Sequence, residues 1–323
     1  MGARSIVQTV LVEALGQLEP VPERTIVINV NTDLVATRAL LSAVEVVKSP
    51  LLLVSCEPTP EGRARFAAMS EDRGFDVIEL PIRSHGDTLD LLFRELRDER
   101  LLLLDSDAEV RSPDHVAWMR SKVDHPDAFG AGFTWGPFFL PESWAATPGT
   151  LLYMERPWLP CTMLKVAPVV EALDAGRSFR VRMEPNDLAF SRRLSRILAG
   201  RWDPTWAIPT RTWRLLPGPL RRRLAGARLD GLRWARRRYY GLRPNMACYD
   251  TAADIYEHLK YERGLVYAGI PVELAGEEVH HYSGVTRHAI HGSFALDTDT
   301  SDIESEVVAR LEERYGYRWE ATQ

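Results

Sequence analysis

Two aspartates separated by a single residue, Asp105-Ser106-Asp107, follow the run Leu101-Leu-Leu-Leu104. On an extended chain, carboxylates at that spacing face the same side, because strand side chains repeat with a period of two. Two hard oxygen donors so placed suit Mg2+ or Mn2+, which take few protein ligands and complete an octahedron with water and phosphate oxygens. A cation held there would neutralise charge developing on a leaving diphosphate. The competing reading is a strand-end turn, since Asp and Ser are common turn formers. An isolated Asp-x-Asp has many chance occurrences. The elements in front of the motif decide between the two.

Those elements alternate. Thr25–Val30, Leu51–Val54, Phe75–Leu80 and Leu101–Leu104 are strand-like runs. Between them, Leu34–Val47 carries Leu40, Leu41, Val44 and Val47 at helical spacing, and Glu61–Arg73 is a helix closed by Gly74. Asp87-Thr88 is placed to cap a third helix with Leu89, Leu92, Phe93 and Leu96 on one face. Four strand–helix alternations predict an α/β fold with a doubly wound, mainly parallel, Rossmann-like sheet and right-handed crossovers. Leu101–Leu104 is apolar at every position, as a central strand covered on both faces requires. In such sheets ligands bind beyond the carboxyl ends of the strands, which is where Asp105 emerges. Placed there, the functional reading of the motif prevails.

Past residue 110 the alternation loosens. The pattern predicts a helix over 114–123, a strand near 129–134, then Pro- and Trp-rich loops. Further helices are expected at 169–174, 187–198 and 251–262, and a final amphipathic helix uses Ile303, Val307, Val308 and Leu311. Residues 1–22 read as a short helical extension ended by Pro20 and Pro22. No internal repeat is present.

Leu101–Asp107 resembles the metal-binding Asp-x-Asp motif of glycosyltransferases with the GT-A fold, closest to family 2. The likeness runs along most of the chain. Thr25–Asp33 resembles that family's first strand and nucleotide-contacting loop, and Cys161-Thr-Met-Leu-Lys165 its segment between the metal and base motifs. Glu184-Pro-Asn-Asp187-Leu-Ala-Phe-Ser-Arg-Arg193 resembles the acidic pair that opens a helix, with Asp187 at the general-base position. Val279-His-His-Tyr-Ser-Gly-Val-Thr-Arg287 resembles a C-terminal motif in which His281 is a further metal ligand. The chain departs from the pattern at Asn186, where an acid commonly precedes the base, and at Cys56-Glu57, where a base-binding Asp is usual.

The resemblance implies transfer of a sugar from a nucleotide-diphosphate donor to an acceptor hydroxyl, with Mn2+ or Mg2+ held by Asp105, Asp107 and His281. It implies inversion, with Asp187 taking the acceptor's proton on the face opposite the leaving group. As a plain helix N-cap, Asp187 would look the same. If the His280-His281 pair is extended, its side chains point to opposite sides, so one alone can face a metal. His288 and His291 are lesser candidates. Asp105 would also face the donor, and Asp33 and Glu57, after the first and second strands, are candidates for nucleotide contact, or caps of the helices that follow. Trp135, Phe138, Phe139, Trp144 and Trp158 could form a sugar-stacking acceptor surface, although core packing explains most of such a group.

Between Arg211 and Arg243 lie eleven arginines and one acid, Asp230, in a chain whose formal net charge is −5. Trp, Leu and Tyr interleave with Arg221–Arg238, which suits peripheral contact with an anionic membrane better than nucleic acid. Arg richness is also a habit of this chain, in which Lys occurs only at 48, 122, 165 and 260. Cys56, Cys161 and Cys248 lie far apart and suit a reducing compartment. No membrane-spanning or targeting segment is read, so a cytoplasmic protein is expected, with attachment to the inner membrane face left open. The organisation expected is an extension over 1–22, a catalytic core over 23–210, an Arg-rich insertion over 211–245, and a C-terminal part of the catalytic domain over 246–323.

Two other functions compete. A sugar-1-phosphate nucleotidyltransferase should carry a Gly-rich phosphate loop after its first strand. Here that position reads Asn31-Thr32-Asp33, without glycine. A non-catalytic basic module binding RNA or membrane would be indifferent to loss of Asp105 and Asp107.

Overall fold

A computed structural model describes residues 14–30, 32–134, 139–141, 151–153, 156–185, 246–276, 278–282 and 300–319. The first four strands are β1 (Glu23–Val30), β2 (Leu51–Cys56), β3 (Asp76–Leu80) and β4 (Arg100–Asp105). They are parallel in the order β3-β2-β1-β4. Beyond β4 the sheet continues through β9 (Pro157–Lys165), β6 (Ala128–Thr134) and β12 (Val266–Pro271). β9 runs antiparallel to both neighbours, and β6 and β12 are parallel to each other. The expected doubly wound, mainly parallel sheet is therefore present, with one reversed strand.

Alternation along the central strands builds two cores, one on each face. On one face, Val27, Leu53, Leu102 and Leu104 meet α1 (Asp33–Ser42), α2 (Pro60–Arg73), α4 (Pro113–Val123) and α7 (Thr300–Tyr315). On the other, Ile26, Leu52, Leu101 and Leu103 meet α3 (His85–Glu95), α5 (Val166–Asp174) and α6 (Ala253–Glu257). All four leucines of β4 are at most 4% exposed, as a strand covered on both sides demands. Each contributes roughly 2 kcal/mol by leaving water.

Local signals set most boundaries. Thr59 caps α2 by accepting from the Gly62 amide, Pro60 opens the helix, and Gly74 closes it at φ +70°. α1 ends by widening into a π-type turn over Ala43–Val47. α3 starts earlier than its sequence suggests. Ser84, not Asp87, is its N-cap, accepting from the Asp87 amide, while Asp87 sits in the first turn. The Ser84 hydroxyl makes the capping bond one turn before the expected position. The region read as Pro- and Trp-rich loops contains the nine-residue β9, all but its last residue buried.

Two smaller sheets complete the fold. β10 (Arg182–Pro185), β11 (Met246–Tyr249), β8 (Leu151–Tyr153) and β7 (Phe139–Pro141) form one. The other is a two-stranded antiparallel ribbon of β5 (Ala108–Val110) and β13 (Val279–His281). It joins the residues just after the Asp-Ser-Asp motif to a segment about 170 positions later, at the carboxyl edge of the main sheet. No described helix is long and apolar enough to cross a membrane.

Candidate functional site

Asp105 closes β4, and Ser106 and Asp107 turn the chain into β5. In the ribbon, His281 is paired with Ala108, which sets its imidazole beside the turn. His281 Nε2 lies 2.9 Å from Asp107 Oδ1. Ligand atoms of Asp105, Asp107 and His281 all fall within 4.8 Å of one another, the one cluster of this kind among the described residues. The histidine pair divides as its alternation requires. His280 faces the other way, with Nδ1 3.4 Å from Arg38 Nη1.

Charge at this edge is crowded. Burial pushes the Asp105 carboxyl up, His85 pulls it down, and Asp107 pushes it up again, with a net rise. His281 is raised: burial disfavours its cation, but Asp107 and Asp105 more than compensate. Two carboxylates and an imidazole converging in a half-buried recess form a donor set of hard oxygens and one nitrogen. That set fits Mn2+, and also Mg2+ with less ease at the nitrogen. The structure thus fits the divalent cation expected from the sequence.

Three supports hold the site, and the sequence reading missed them. Ser106 is 1% exposed, and its Oγ lies 3.0 Å from Thr32 Oγ1. Asn29 Oδ1 in turn accepts from the Thr32 amide at 3.1 Å and hydroxyl at 2.8 Å. The central residue of the motif is therefore tied to the loop after β1. Arg38 Nη2 donates to the Asp107 carbonyl at 3.1 Å, and the Tyr282 amide donates to the same oxygen at 3.1 Å. Trp158 of β9 presents an edge contact to the His281 ring, with centroids 5.3 Å apart. The available signals were small: a hydroxyl between two aspartates, and a lone arginine inside an apolar helix.

The remaining candidates divide. Asp33 opens α1, with Oδ1 accepting from Asn29 Nδ2 at 3.0 Å. Its other oxygen packs so closely on α2 that a Cβ at Gly62 would lie 2.3 Å from it. Thr32 precedes α1 without a side-chain capping bond. Glu57 follows β2 at φ +49°, a conformation costly for a residue with a side chain. Its carboxylate accepts from the Ile82 amide at 3.3 Å and does not cap α2, where Thr59 does so. Of the five aromatic residues, Trp158 is 7% exposed and packs on Phe133, so it belongs to the core. Trp135, Phe138, Trp144 and the side chain of Phe139 lie outside the described residues, as do Asp187, His288, His291 and the whole of Arg211–Arg243. Cys56 and Cys161 are free and buried.

No protein-family model matches the chain, and no curated protein matches it by sequence. Solved structures similar to it include a mannosyltransferase, PcManGT of Pyrobaculum calidifontis, in complex with GDP-Man and Mn2+. It is 17% identical over 52% of this chain and 53% of that one, with a TM-score of 0.36. Another is S. aureus TarS 1-349 in complex with UDP-GlcNAc, 13% identical over 46% of each chain at a TM-score of 0.33. A third is 4-diphosphocytidyl-2C-methyl-D-erythritolsynthase from Anaerococcus prevotii, 8% identical over 50% of this chain and 77% of that one at 0.35. The chain spans about half the length of the first two. Similarity at this level leaves the functional reading to the chain's own residues.

Proposed function

We propose that this chain is a glycosyltransferase that moves a sugar from a nucleotide-diphosphate donor to an acceptor hydroxyl. The observation that carries the reading is the meeting of Asp105, Asp107 and His281 within 4.8 Å at the carboxyl edge of a doubly wound sheet. The ordered motifs that resemble family 2 glycosyltransferases support it from the sequence side.

In this reading Asp105, Asp107 and His281 hold a divalent cation, which supplies positive charge to the diphosphate as it leaves. Trp158 and Arg38 keep the ligand geometry fixed before the donor arrives, so that little reorganisation remains at the moment of transfer. Asn29, Thr32 and Ser106 lock the loop after β1 to the motif, so a nucleotide seated over that loop is registered against the site. Asp33, which opens α1, and Glu57, which follows β2, are assigned to the nucleotide's base and ribose. Asp187, two residues beyond the end of β10, is assigned the acceptor's proton, which makes the reaction inverting. Arg221–Arg238 is assigned to peripheral contact with an anionic membrane.

The test is a donor screen read by released nucleotide, with and without Mn2+. Metal-dependent release from one nucleotide sugar is the expected result, and it names the donor. Release of pyrophosphate from a nucleoside triphosphate and a sugar phosphate would instead establish a nucleotidyltransferase. Asp187→Asn should retain donor binding and lose transfer; full transfer by this variant would remove Asp187 from its role.

A further inference from the structure

The ribbon that brings His281 to Asp107 is short, with three residue pairs, and it is not part of the main sheet. Something else must fix its register. Arg38, from the middle of α1, is 0% exposed and lies against both halves of the ribbon. Its Nη2 donates to the Asp107 carbonyl at 3.1 Å. Its guanidinium lies 4.2 Å from the centre of the Tyr282 ring, and Nη1 is 3.4 Å from His280 Nδ1. One side chain thus touches a proposed metal ligand just before β5 and both chain neighbours of another ligand, His281 of β13.

A buried cation is costly unless its charge is answered. Glu109, also 0% exposed, supplies the answer at 3.8 Å. Glu109 is itself held from outside the ribbon. Tyr315 donates to it at 2.8 Å, and Arg310 and Arg314 approach to 3.4 Å, all from α7. Arg111 completes the set at 3.3 Å. An apolar side chain would fill the space at less cost. A lysine could not serve either, because a single ammonium lacks the planar fork that reaches a carbonyl and a carboxylate while stacking on a ring.

We propose that Arg38 is a positioning residue of the metal centre, bracing Asp107 against His281, and that α7 clamps this brace through Glu109. The inference rests on the reading of Asp105, Asp107 and His281 as metal ligands. Outer partners that orient ligands typically change metal affinity by about 10- to 100-fold when lost.

Arg24 provides the control. It is a second buried arginine, paired with Asp98 at 2.8 Å. In the β1–β4 register it lies opposite Leu101, whereas Asp105 lies opposite Ile28, four residues and roughly 13 Å along the strand.

The experiment is Mn2+ titration of the full chain by electron paramagnetic resonance, with metal-free melting measured alongside. Wild type, Arg38→Lys, Tyr282→Leu and Arg24→Lys are compared. Arg38→Lys should weaken Mn2+ binding about 10-fold or more, and Tyr282→Leu should weaken it in the same direction. Arg24→Lys should lower the melting temperature yet leave Mn2+ affinity within about two-fold of wild type. Tyr282→Leu, which removes the ring that packs on the guanidinium and on His280, decides the matter if Arg38→Lys does not fold. If a folded variant of the brace binds Mn2+ as wild type does, Arg38 is only a buried ion pair. If wild type binds no Mn2+, the metal reading itself fails and the brace falls with it.

Discussion

At the amino edge of the main sheet, Asp98 accepts from the Val21 amide and from two nitrogens of Arg24, while Glu23 accepts from Arg100 and Arg120. Every carboxylate in that group faces an arginine fork. At the carboxyl edge, Asp105 and Asp107 face each other, and the nearest cationic partner drawn into the group is a histidine. The same strands, β1 and β4, carry both arrangements at their opposite ends. Where acids serve only the fold, each is matched by a fixed cation. Where they converge, the partner of Asp107 is the His281 imidazole, and burial together with the neighbouring Asp107 charge pushes the Asp105 carboxyl up. The contrast between these edges, more than the presence of acids, marks the site.

The contrast breaks most sharply at Asp107. Asp107→Ala should reduce metal-dependent turnover by roughly 100- to 1,000-fold, of the order seen when an electrostatic stabiliser of a transition state is removed. Its metal-free melting temperature should fall less than that of Asp98→Ala, since relief of the repulsion with Asp105 offsets the lost contact to His281. A calorimetric melt beside a nucleotide-release assay checks both halves.

Asp98→Ala should do the reverse. It leaves Arg24, 3% exposed, without its principal counter-charge and should cost about 3 kcal/mol in urea unfolding. Mn2+ affinity should hold. If Asp98→Ala weakened metal binding as strongly as it weakened the fold, the two edges would not be separable.

Ser106→Ala sharpens the comparison within the site itself. Thr32 keeps its bond to Asn29, so the loss should be about 1 kcal/mol of stability. Nucleotide affinity should fall more than metal affinity, because the bond removed joins the motif to the loop after β1. Isothermal titration with metal alone and then with nucleotide separates the two. The smallest effect, about 1 kcal/mol, is expected of Thr59→Ala, which removes the cap of α2 and should leave the site's chemistry unchanged.

The first half of this architecture could be read from residues because its signals are local. Leu101–Leu104 is apolar throughout, helices end at residues such as Gly74, and the parallel pairings of β1 with β2 and of β2 with β3 follow from the strand–helix alternation. The pairing of β9 between β4 and β6 could not be read in this way. A strand that holds two prolines and a tryptophan carries no clear period, and it runs antiparallel to both neighbours, against the parallel order that the preceding alternation sets. The two aspartates were legible from their position after an apolar strand. That His281 reaches them depends on a ribbon joining residues 108 and 281, which no pattern within either segment specifies. Arg38 was hidden for a related reason. In a helix buried on every side it reads as an interruption of the apolar face, and its purpose is visible only once Glu109 and Tyr282 surround it.

The central claim is that the recess between Asp105, Asp107 and His281 holds one divalent cation. Mn2+ binding to wild type and to His281→Ala, followed by electron paramagnetic resonance in the presence of a nucleoside diphosphate, tests it most directly. Wild type should bind one Mn2+ per chain, with nitrogen hyperfine coupling that vanishes in the variant. A wild-type spectrum showing only free Mn2+, or a bound ion whose coupling survives loss of His281, would contradict it.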